Sequence, residues 1–424
     1  RIGAMHPKAD TPGTVVRGVT LGNHLCTAFQ NQFAVYNDCS VRSYHGALER
    51  GIPNRCGCAR IDLHSRACAR LLANPPEDYE QFLADNAFWL PDYALYMACK
   101  RHFGMKAWTE WPDDDLRLRK NEAVLDKYRT LLREDVQFFT YLQFLFFRQW
   151  TALRDYVHQQ GIRIIGDLPI YVAMDSADVW AEPQFFQLDD DLVPKAVAGV
   201  PPDYFTADGQ LWGNPLYDWD AMRDDGFGWW IRRIDGAGKL YDVIRIDHFR
   251  GFANYWAVPY GQPTAKNGRW IAGPGMDLIE RLNGWFPQLE FIAEDLGYPT
   301  PEVAQLLRES GWPGMKVLEF AFDSRDSSGY LPHAYTPHCI CYTGTHDNET
   351  LMQFCENLSP ESDAYAREYL GIGPDDDLPD AIIDAGMQSK ANLFVAQIQD
   401  YLRLGAEARM NEPGRLLPSN RRWP

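Results

Sequence analysis

Four short apolar runs in this sequence each end at an acidic residue, and this repeated pattern constrains the fold more than any other feature. Runs of this length, rich in β-branched residues and bounded by polar ones, are typical of buried parallel strands. Because helical periodicity fills the segments between them, they predict a (β/α)8 TIM-type barrel with long inserted loops. The four acids would then converge at the carboxyl ends of the strands, where such barrels carry out chemistry. The runs are Ile162–Asp167, Val243–Asp247, Leu289–Glu294 and Cys339–Asp347.

The composition narrows the function classes. The chain has 424 residues, a hydrophobic fraction of 46% and a formal net charge of −17. Nucleic-acid-binding proteins present basic surfaces, so we expect no nucleic-acid partner. No run of about 18 uncharged apolar residues occurs, which predicts no membrane span. The first residues lack the apolar region of a secretory signal, so the expected location is cytoplasmic.

Periodicity also predicts several elements between the runs. Phenylalanine, leucine and tryptophan recur at helical spacing over Glu134–Gln160, which predicts a long helix. A second helix is predicted over Pro301–Gly311, with Thr300 as its N-cap. Two stretches rich in aromatic and polar residues, 171–225 and 251–275, are predicted to be long functional loop regions.

The alternation of side chains along a strand selects which charged residues face the rim. Arg245 and Asp247 are two apart and therefore share a face. The guanidinium would keep Asp247 ionised, as a nucleophile requires, although a salt bridge that only closes the barrel is the alternative. Glu294 shares its parity with the apolar residue two before it, so we expect Glu294 at the rim and Asp295 in a structural hydrogen bond. By the same rule Asp347 lies on the rim.

An ionised carboxylate beside a protonated one is the minimum set for retaining glycosyl chemistry. Asp347 and His346 would hold sugar hydroxyls more tightly in the transition state. A histidine beside an aspartate is equally often structural, and the sequence leaves both interpretations open. Acids on successive strand ends also suit Mg²⁺, but the cation Arg245 beside Asp247 argues against a metal there.

Several longer motifs occur in a fixed order between about residues 78 and 414, and together they indicate a family. The chain resembles the 4-α-glucanotransferases, which include the bacterial amylomaltases and the plant disproportionating enzymes. The motifs are Trp89–Tyr96, Gly166–Val172, Gly199–Phe205, Leu211–Tyr217, Arg245–Gly251, Ala293–Gly297, Thr343–Asn348 and Glu407–Asn411.

The resemblance implies an α-amylase-like barrel that transfers α-1,4-glucan segments to the 4-hydroxyl of glucose or maltooligosaccharides, with no metal or organic cofactor. It implies that Asp247 is the nucleophile, Glu294 the general acid/base and Asp347 the transition-state stabiliser. A loop over residues 199–217 would shield the covalent glucosyl-enzyme from water. The residues implied to bind or cover the glucan are Arg245, His346, Asp167, Tyr204, Phe205, Trp212 and Asn214.

Two alternatives keep the same residues. One is a hydrolytic α-glucanase that uses the same acids, and the other is a glucan-binding protein with impaired catalysis. The second arises because residues 1–75 lack the opening strand motifs of the family, and residues 415–424 lack its usual ending. We therefore predict an atypical segment over 1–75 and a catalytic barrel over 76–424, incomplete at its N-terminus and with an exposed sheet edge. Cys56 and Cys58 do not have the spacing of a zinc site.

Overall fold

Two sheets organise the described part of the chain. The computed structural model describes residues 2–6, 17–21, 67–203, 206–297, 300–322 and 329–411, the first two ranges as backbone strands. The strands are β1 (Ile2–His6), β2 (Arg17–Leu21), β3 (Ile162–Pro169), β4 (Ala196–Val200), β5 (Gln210–Pro215), β6 (Val243–Asp247), β7 (Asn254–Pro259), β8 (Arg269–Ala272), β9 (Glu290–Ala293), β10 (Gly314–Val317), β11 (Cys339–Tyr342) and β12 (Leu393–Ala396).

Helices follow most of the strands of the larger sheet. In chain order they are α1 (Glu77–Asp85), α2 (Leu90–His102), α3 (Asp114–Arg117), α4 (Glu122–Leu131), α5 (Arg133–Gln159), α6 (Ala177–Ala181), α7 (Trp219–Asp224), α8 (Gly228–Gly238), α9 (Arg250–Ala253), α10 (Met276–Trp285), α11 (Pro301–Ser310), α12 (Leu318–Ala321), α13 (Leu351–Asn357), α14 (Pro360–Leu370), α15 (Leu378–Gln388) and α16 (Ile398–Tyr401). No helix in the described ranges combines the length and the apolar character needed to cross a membrane.

The larger sheet has eight strands in the order β10-β11-β12-β1-β2-β3-β6-β9. Neighbours pair in parallel except at β1, which runs antiparallel to both β12 and β2. The predicted absence of strands from the segment 1–75 is therefore wrong, because β1 and β2 fill the position between β12 and β3. Neither five-residue strand has a sustained β-branched pattern, so ladder hydrogen bonds with neighbouring strands decide its conformation. The prediction about zinc at Cys56 and Cys58 lies outside the described residues.

One face of the larger sheet carries an apolar cluster that draws on six strands. Its members alternate with residues that pack against the helices, as period-2 strands require. Asp167, Arg245 and Asp247 have the same parity as the cluster members of β3 and β6, and Glu294, just beyond β9, has the parity of Ile292. The buried members of this cluster are Ile165, Val243, Ile292, Met315, Val317, Ile340, Tyr342 and Val395.

The two stretches predicted to be loops contain a second sheet, so that prediction is wrong for their cores. This sheet is antiparallel with the order β5-β4-β7-β8, and it draws β4 and β5 from the first stretch and β7 and β8 from the second. The aromatic side chains that obscured the alternation form cross-strand pairs instead. Trp256 and Trp270, for example, are register partners with ring centroids 5.2 Å apart.

The two predicted helices are confirmed as α5 and α11. Gly161, with φ of 68°, follows the end of α5, and Gly311, with φ of 72°, follows α11. A left-handed residue after the last helical turn favours glycine, which lacks the Cβ that would clash. Thr300 occupies the N-cap of α11, but its side chain makes no capping hydrogen bond.

Hydrogen bonds also connect the two terminal strands of the larger sheet. The amide of Ala293 donates to the carbonyl of Pro313 over 2.9 Å. Asp295 Oδ1 accepts from the amide of Met315 over 2.7 Å, which confirms its predicted structural role. A Cβ at Gly314 would lie 2.8 Å from the same carboxylate, so a larger residue at the start of β10 would displace the Asp295 side chain.

Substituting Asp295 tests this connection. Asp295→Ala leaves the buried Met315 amide without its acceptor, and we expect the free energy of unfolding to fall by about 1–3 kcal/mol. Asp295→Asn keeps an acceptor oxygen and should lose less than half as much. Denaturant titration of both variants measures the difference. Equal losses in the two variants would show that the hydrogen bond does not stabilise the fold.

Candidate active site

The end of β6 places a cation between two carboxylates. Asp167 and Arg245 are register partners on β3 and β6, and their side chains form a close ion pair. The same guanidinium nitrogen, Nη1, lies 3.2 Å from Asp247 Oδ1. The side chains of Arg245 and Asp167 are 10% and 9% exposed, whereas Asp247 is 43% exposed. A buried ion pair therefore supports a carboxylate that a ligand can reach.

Glu294 is fixed against the residue that follows Asp247. Its Oε2 accepts from the amide of His248 over 2.8 Å, and its Oε1 accepts from the amide of Leu296 over 3.1 Å. The backbone amide of Glu294 donates to the carbonyl of Ile246 over 3.0 Å. His248 has a positive φ of 54°, a conformation that costs a non-glycine residue energy and often occurs at functional sites. This backbone geometry directs the His248 amide at Glu294.

The surroundings of Asp247 and Glu294 raise the pKa of both carboxyl groups, and Asp247 also contacts a cation. Burial raises the pKa of Glu294 to about 7, and the Asp247 charge adds to this effect while Arg245 and the His248 amide oppose it. Burial also raises the pKa of Asp247, and Arg245 is the largest opposing influence on both groups. Because Arg245 Nη1 lies 3.2 Å from Asp247, we expect Asp247 to lose its proton before Glu294.

The segment after β11 brings a third acid into this environment. His346 Nε2 lies 3.3 Å from Asp347 Oδ2, and Asn411 Nδ2 donates to Asp347 Oδ1 over 2.6 Å. Arg409 donates to the Asp347 carbonyl over 3.1 Å. Although burial alone would raise the pKa of Asp347, the hydrogen bonds from His346 and Asn411 hold it below its usual range. Asp347 is therefore an ionised acceptor.

His346 connects this third acid electrostatically to the other two. Burial alone would lower the pKa of His346, but its hydrogen bond with Asp347 raises it. The charges of Asp167 and Arg245 also influence His346, and His346 in turn favours the charge on Asp247. The structure thus brings together six of the predicted residues, which are Asp167, Arg245, Asp247, Glu294, His346 and Asp347.

Trp212 lies beside this group on β5. Its ring meets His248 edge to face with centroids 4.8 Å apart, and its side chain remains 37% exposed. Asn214, two residues later, donates from Nδ2 to the carbonyl of Val172 over 2.9 Å, so part of its amide holds its own strand in place. Tyr204 and Phe205 lie outside the described residues.

Sequence reasoning missed three residues of the site. His248 positions the Glu294 carboxylate, and Arg409 and Asn411 hold Asp347 from the far end of the chain. The Arg245–Gly251 motif contained the signal for His248, and the Glu407–Asn411 motif contained that for the other two. Spacing alone could not assign them, because Asn411 contacts a residue 64 positions away.

Comparison with known proteins identifies this arrangement. The profile of a family described as 4-alpha-glucanotransferase matches residues 57–424. The chain belongs to the 4-alpha-glucanotransferase family. The matched range includes residues 57–75 and 415–424, which the motif pattern had set apart. The domain boundary at residue 75 stays a prediction.

Similar proteins extend this result. The 4-alpha-glucanotransferase of Clostridium butyricum is 46% identical over 349 residues, which are 82% of this chain and 71% of the relative. The 4-alpha-glucanotransferase of Thermus thermophilus is 48% identical over 351 residues, covering 80% and 70%. Among solved structures, an amylomaltase from Streptococcus agalactiae in complex with acarbose superposes with a TM-score of 0.81 at 39% identity, covering 85% of this chain and 73% of that one.

These comparisons establish the activity class as 4-alpha-glucanotransferase, an enzyme that acts on α-1,4-glucans. They give no support to a hydrolase or to a binding protein without catalysis. An amylomaltase from Corynebacterium glutamicum, 19% identical with a TM-score of 0.65, shares the fold. The larger sheet with its flanking helices is therefore the amylomaltase architecture.

Proposed function

We propose that this enzyme transfers α-1,4-glucan segments by retaining double displacement, with Asp247 as nucleophile and Glu294 as general acid/base. The observation that carries this proposal is that the Arg245 cation contacts Asp247, while two backbone amides hold the neighbouring Glu294. Asp247 contacts the Arg245 cation, whereas burial and the Asp247 charge raise the pKa of Glu294 to about 7. Retaining glycosyl transfer needs these two states on acids that flank one sugar.

The two steps follow from these protonation states. In the first step Asp247 attacks the anomeric carbon while Glu294 gives its proton to the departing glycosidic oxygen, which breaks the α-1,4 bond and leaves a β-glucosyl ester on Asp247. In the second step the Glu294 carboxylate removes a proton from the acceptor 4-hydroxyl. That oxygen attacks the anomeric carbon, restores the α configuration and releases Asp247.

The remaining residues of the group bind the reacting sugar. The ionised Asp347, with His346 at 3.3 Å, offers acceptors to sugar hydroxyls and stabilises positive charge that develops on the ring. Asp167 keeps Arg245 in place, and the exposed face of Trp212 offers a stacking surface to a glucose ring. Tyr204, Phe205 and Asn214 complete the proposed glucan contacts. The two carboxyl groups supply both acid and nucleophile, so this mechanism needs no metal or organic cofactor.

The proposed substrates are α-1,4-glucans and maltooligosaccharides, and the proposed acceptor is the 4-hydroxyl of glucose or a maltooligosaccharide. Similarity to an amylomaltase whose structure contains acarbose supports this choice. We further propose that the larger sheet closes between β9 and β10 as a TIM-type barrel of eight strands, in which β1 departs from the parallel order. The Ala293–Pro313 and Asp295–Met315 hydrogen bonds and the shared apolar cluster support closure. The cytoplasmic location stays a prediction.

Incubation with maltotriose tests transfer against hydrolysis. We expect glucose together with maltooligosaccharides longer than maltotriose, and a constant number of reducing ends. The measurement is chromatography of the products beside a reducing-end assay. Maltose and glucose with a rising number of reducing ends would show hydrolysis, and unchanged maltotriose that nevertheless binds would show a protein without catalysis.

A further inference from the structure

A buried acid lies behind the segment that carries Asp347, outside the group that the mechanism uses. Glu319 is on α12 and is 6% exposed. Its Oε2 accepts from Asn348 Nδ2 over 3.0 Å, and its backbone amide donates to the carbonyl of Thr343 over 3.2 Å. The side chain thus reaches from the end of β10 to the segment that follows β11.

Asn348 organises the turn that presents His346 and Asp347. Its Oδ1 accepts from both the amide and the hydroxyl of Thr345, over 2.9 Å and 2.7 Å. The same hydroxyl accepts from the amide of Asp347 over 3.3 Å. The Asn348 amide is thus held at both ends, because its oxygen accepts twice from Thr345 and its Nδ2 donates to Glu319.

Gln397, the residue after β12, supports the same turn. Its Nε2 donates to the carbonyls of Thr345 and Glu349, over 3.2 Å and 2.9 Å. Gln397 Oε1 and Glu319 Oε1 are both buried and have no hydrogen-bond partner among the described residues. A Cβ at Gly344 would overlap Glu319 Oε1 and lie 3.1 Å from Gln397 Nε2, so the two side chains meet beneath this glycine. Neither of these two buried oxygens has a donor, and a proton on Glu319 Oε1 would turn that atom from an unpaired acceptor into a donor.

The charges around Glu319 favour that proton. The facing acids are Asp400 on α16 and Glu349 on the turn, and Cys355 on α13 also faces it. Arg409 is the nearby cation, but it binds Glu349 and the Asp347 carbonyl instead. Burial, together with the charge of Asp400, raises the pKa of Glu319 well above its ordinary value of 4.5.

We propose that Glu319 is a positioning residue for glucan transfer, which acts as a neutral carboxylic acid and orients Asn348 and thereby the turn that carries His346 and Asp347. The inference rests on the proposed function, because it needs Asp347 to contact the reacting sugar. In this arrangement a protonated, buried Glu319, instead of an ion pair, fixes the geometry of the ionised Asp347.

Two substitutions at Glu319 separate the neutral acid from other roles. Glu319→Gln keeps an acceptor for Asn348 and a donor for Gln397, so we expect kcat within about threefold of the wild-type value. Glu319→Leu removes both groups, and we expect kcat to fall about 100-fold with KM within about threefold, because a displacement of about 1 Å has such an effect on catalysis. Asn348→Ala should reproduce this loss if Glu319→Leu does not fold. Full kcat in either of these two variants, or a loss in Glu319→Gln as large as in Glu319→Leu, would overturn the proposal.

The pH dependence of stability is a second test, because a purely packing role for Glu319 would not produce one. A raised folded-state pKa means that the folded protein holds a proton that the unfolded chain releases above about pH 4.5, so stability falls as pH rises through that range. Glu319→Gln should remove this part of the slope in thermal melts from pH 5 upward. A slope identical to wild type would contradict a neutral Glu319.

Two further variants keep this inference distinct from the proposed function. Asp178→Leu replaces another buried acid, 8% exposed on α6, and should change stability without changing kcat. Asp347→Asn tests the proposed function directly. Full activity in Asp347→Asn would overturn the role of Asp347 and the inference with it. Loss in Asp347→Asn beside full activity in Glu319→Leu would overturn the positioning role alone.

Discussion

Asp247→Asn is expected to lower kcat for maltotriose disproportionation by about 10⁴–10⁶-fold. The substitution removes the oxygen that forms the glucosyl ester, and loss of a nucleophile has effects of this order. Each factor of ten corresponds to about 1.4 kcal/mol of activation free energy, so the loss amounts to about 6–8 kcal/mol. Initial rates of glucose release, with enzyme concentrations raised for the variant, measure it.

The fold should survive this change. Arg245 keeps its closer partner Asp167, so no buried cation is left unpaired. Because burial raises the pKa of Asp247, its ionisation opposes folding above its ordinary pKa of 3.8, and the neutral amide should leave the melting temperature equal or higher. Asp220→Asn, at a 95% exposed carboxylate, is the matched control and should retain full activity. An active Asp247→Asn enzyme would refute the nucleophile assignment.

The residues around Asp247 show how far a sequence can predict such a site. Strand alternation placed Arg245 and Asp247 on one face and separated Glu294 from Asp295, because the side-chain period in a strand is two. Motif order then identified the family and the third acid. Which of the two carboxyl groups keeps its proton depends on the three-dimensional surroundings of each and on contact with Arg245, and neither can be counted along the chain.

The elements that could not be predicted from the sequence are those whose structure depends on partners far away in the chain. The strands β1 and β2 have no sustained pattern of their own and are defined by pairing with β12 and β3. The small sheet assembles from two stretches whose aromatic residues mask the alternation. Asn411 reaches Asp347 from 64 positions away, and Glu319 reaches Asn348 from 29. Contacts of this kind follow from the three-dimensional path of the chain and not from local spacing.

Glu294→Ala is expected to separate the two chemical steps. Transfer from maltotriose needs a proton on the leaving oxygen, and loss of a general acid should lower kcat by about 10²–10⁴-fold. With α-glucosyl fluoride as substrate, the fluoride ion leaves without protonation. The variant should therefore still release fluoride, while the glucosyl ester on Asp247 accumulates. Azide, which needs no general base, should enter the space left by the carboxyl group and restore turnover as an α-glucosyl azide. A fluoride electrode follows fluoride release, and mass spectrometry of the intact protein follows accumulation of the ester.

The pH dependence of the wild-type enzyme supplies an independent check on the same residue. A general acid with a pKa of about 7 is protonated below that value, so kcat/KM for maltotriose should fall as pH rises through about 7. Fluoride release by Glu294→Ala should lack this alkaline decline, since the titrating carboxyl group is gone and fluoride leaves without protonation. Glu290→Ala, on the same strand but paired with Arg163 at the surface, should keep the wild-type profile. If the decline persists in Glu294→Ala, or if azide gives the β-anomer, another group is the acid or the reaction does not retain configuration.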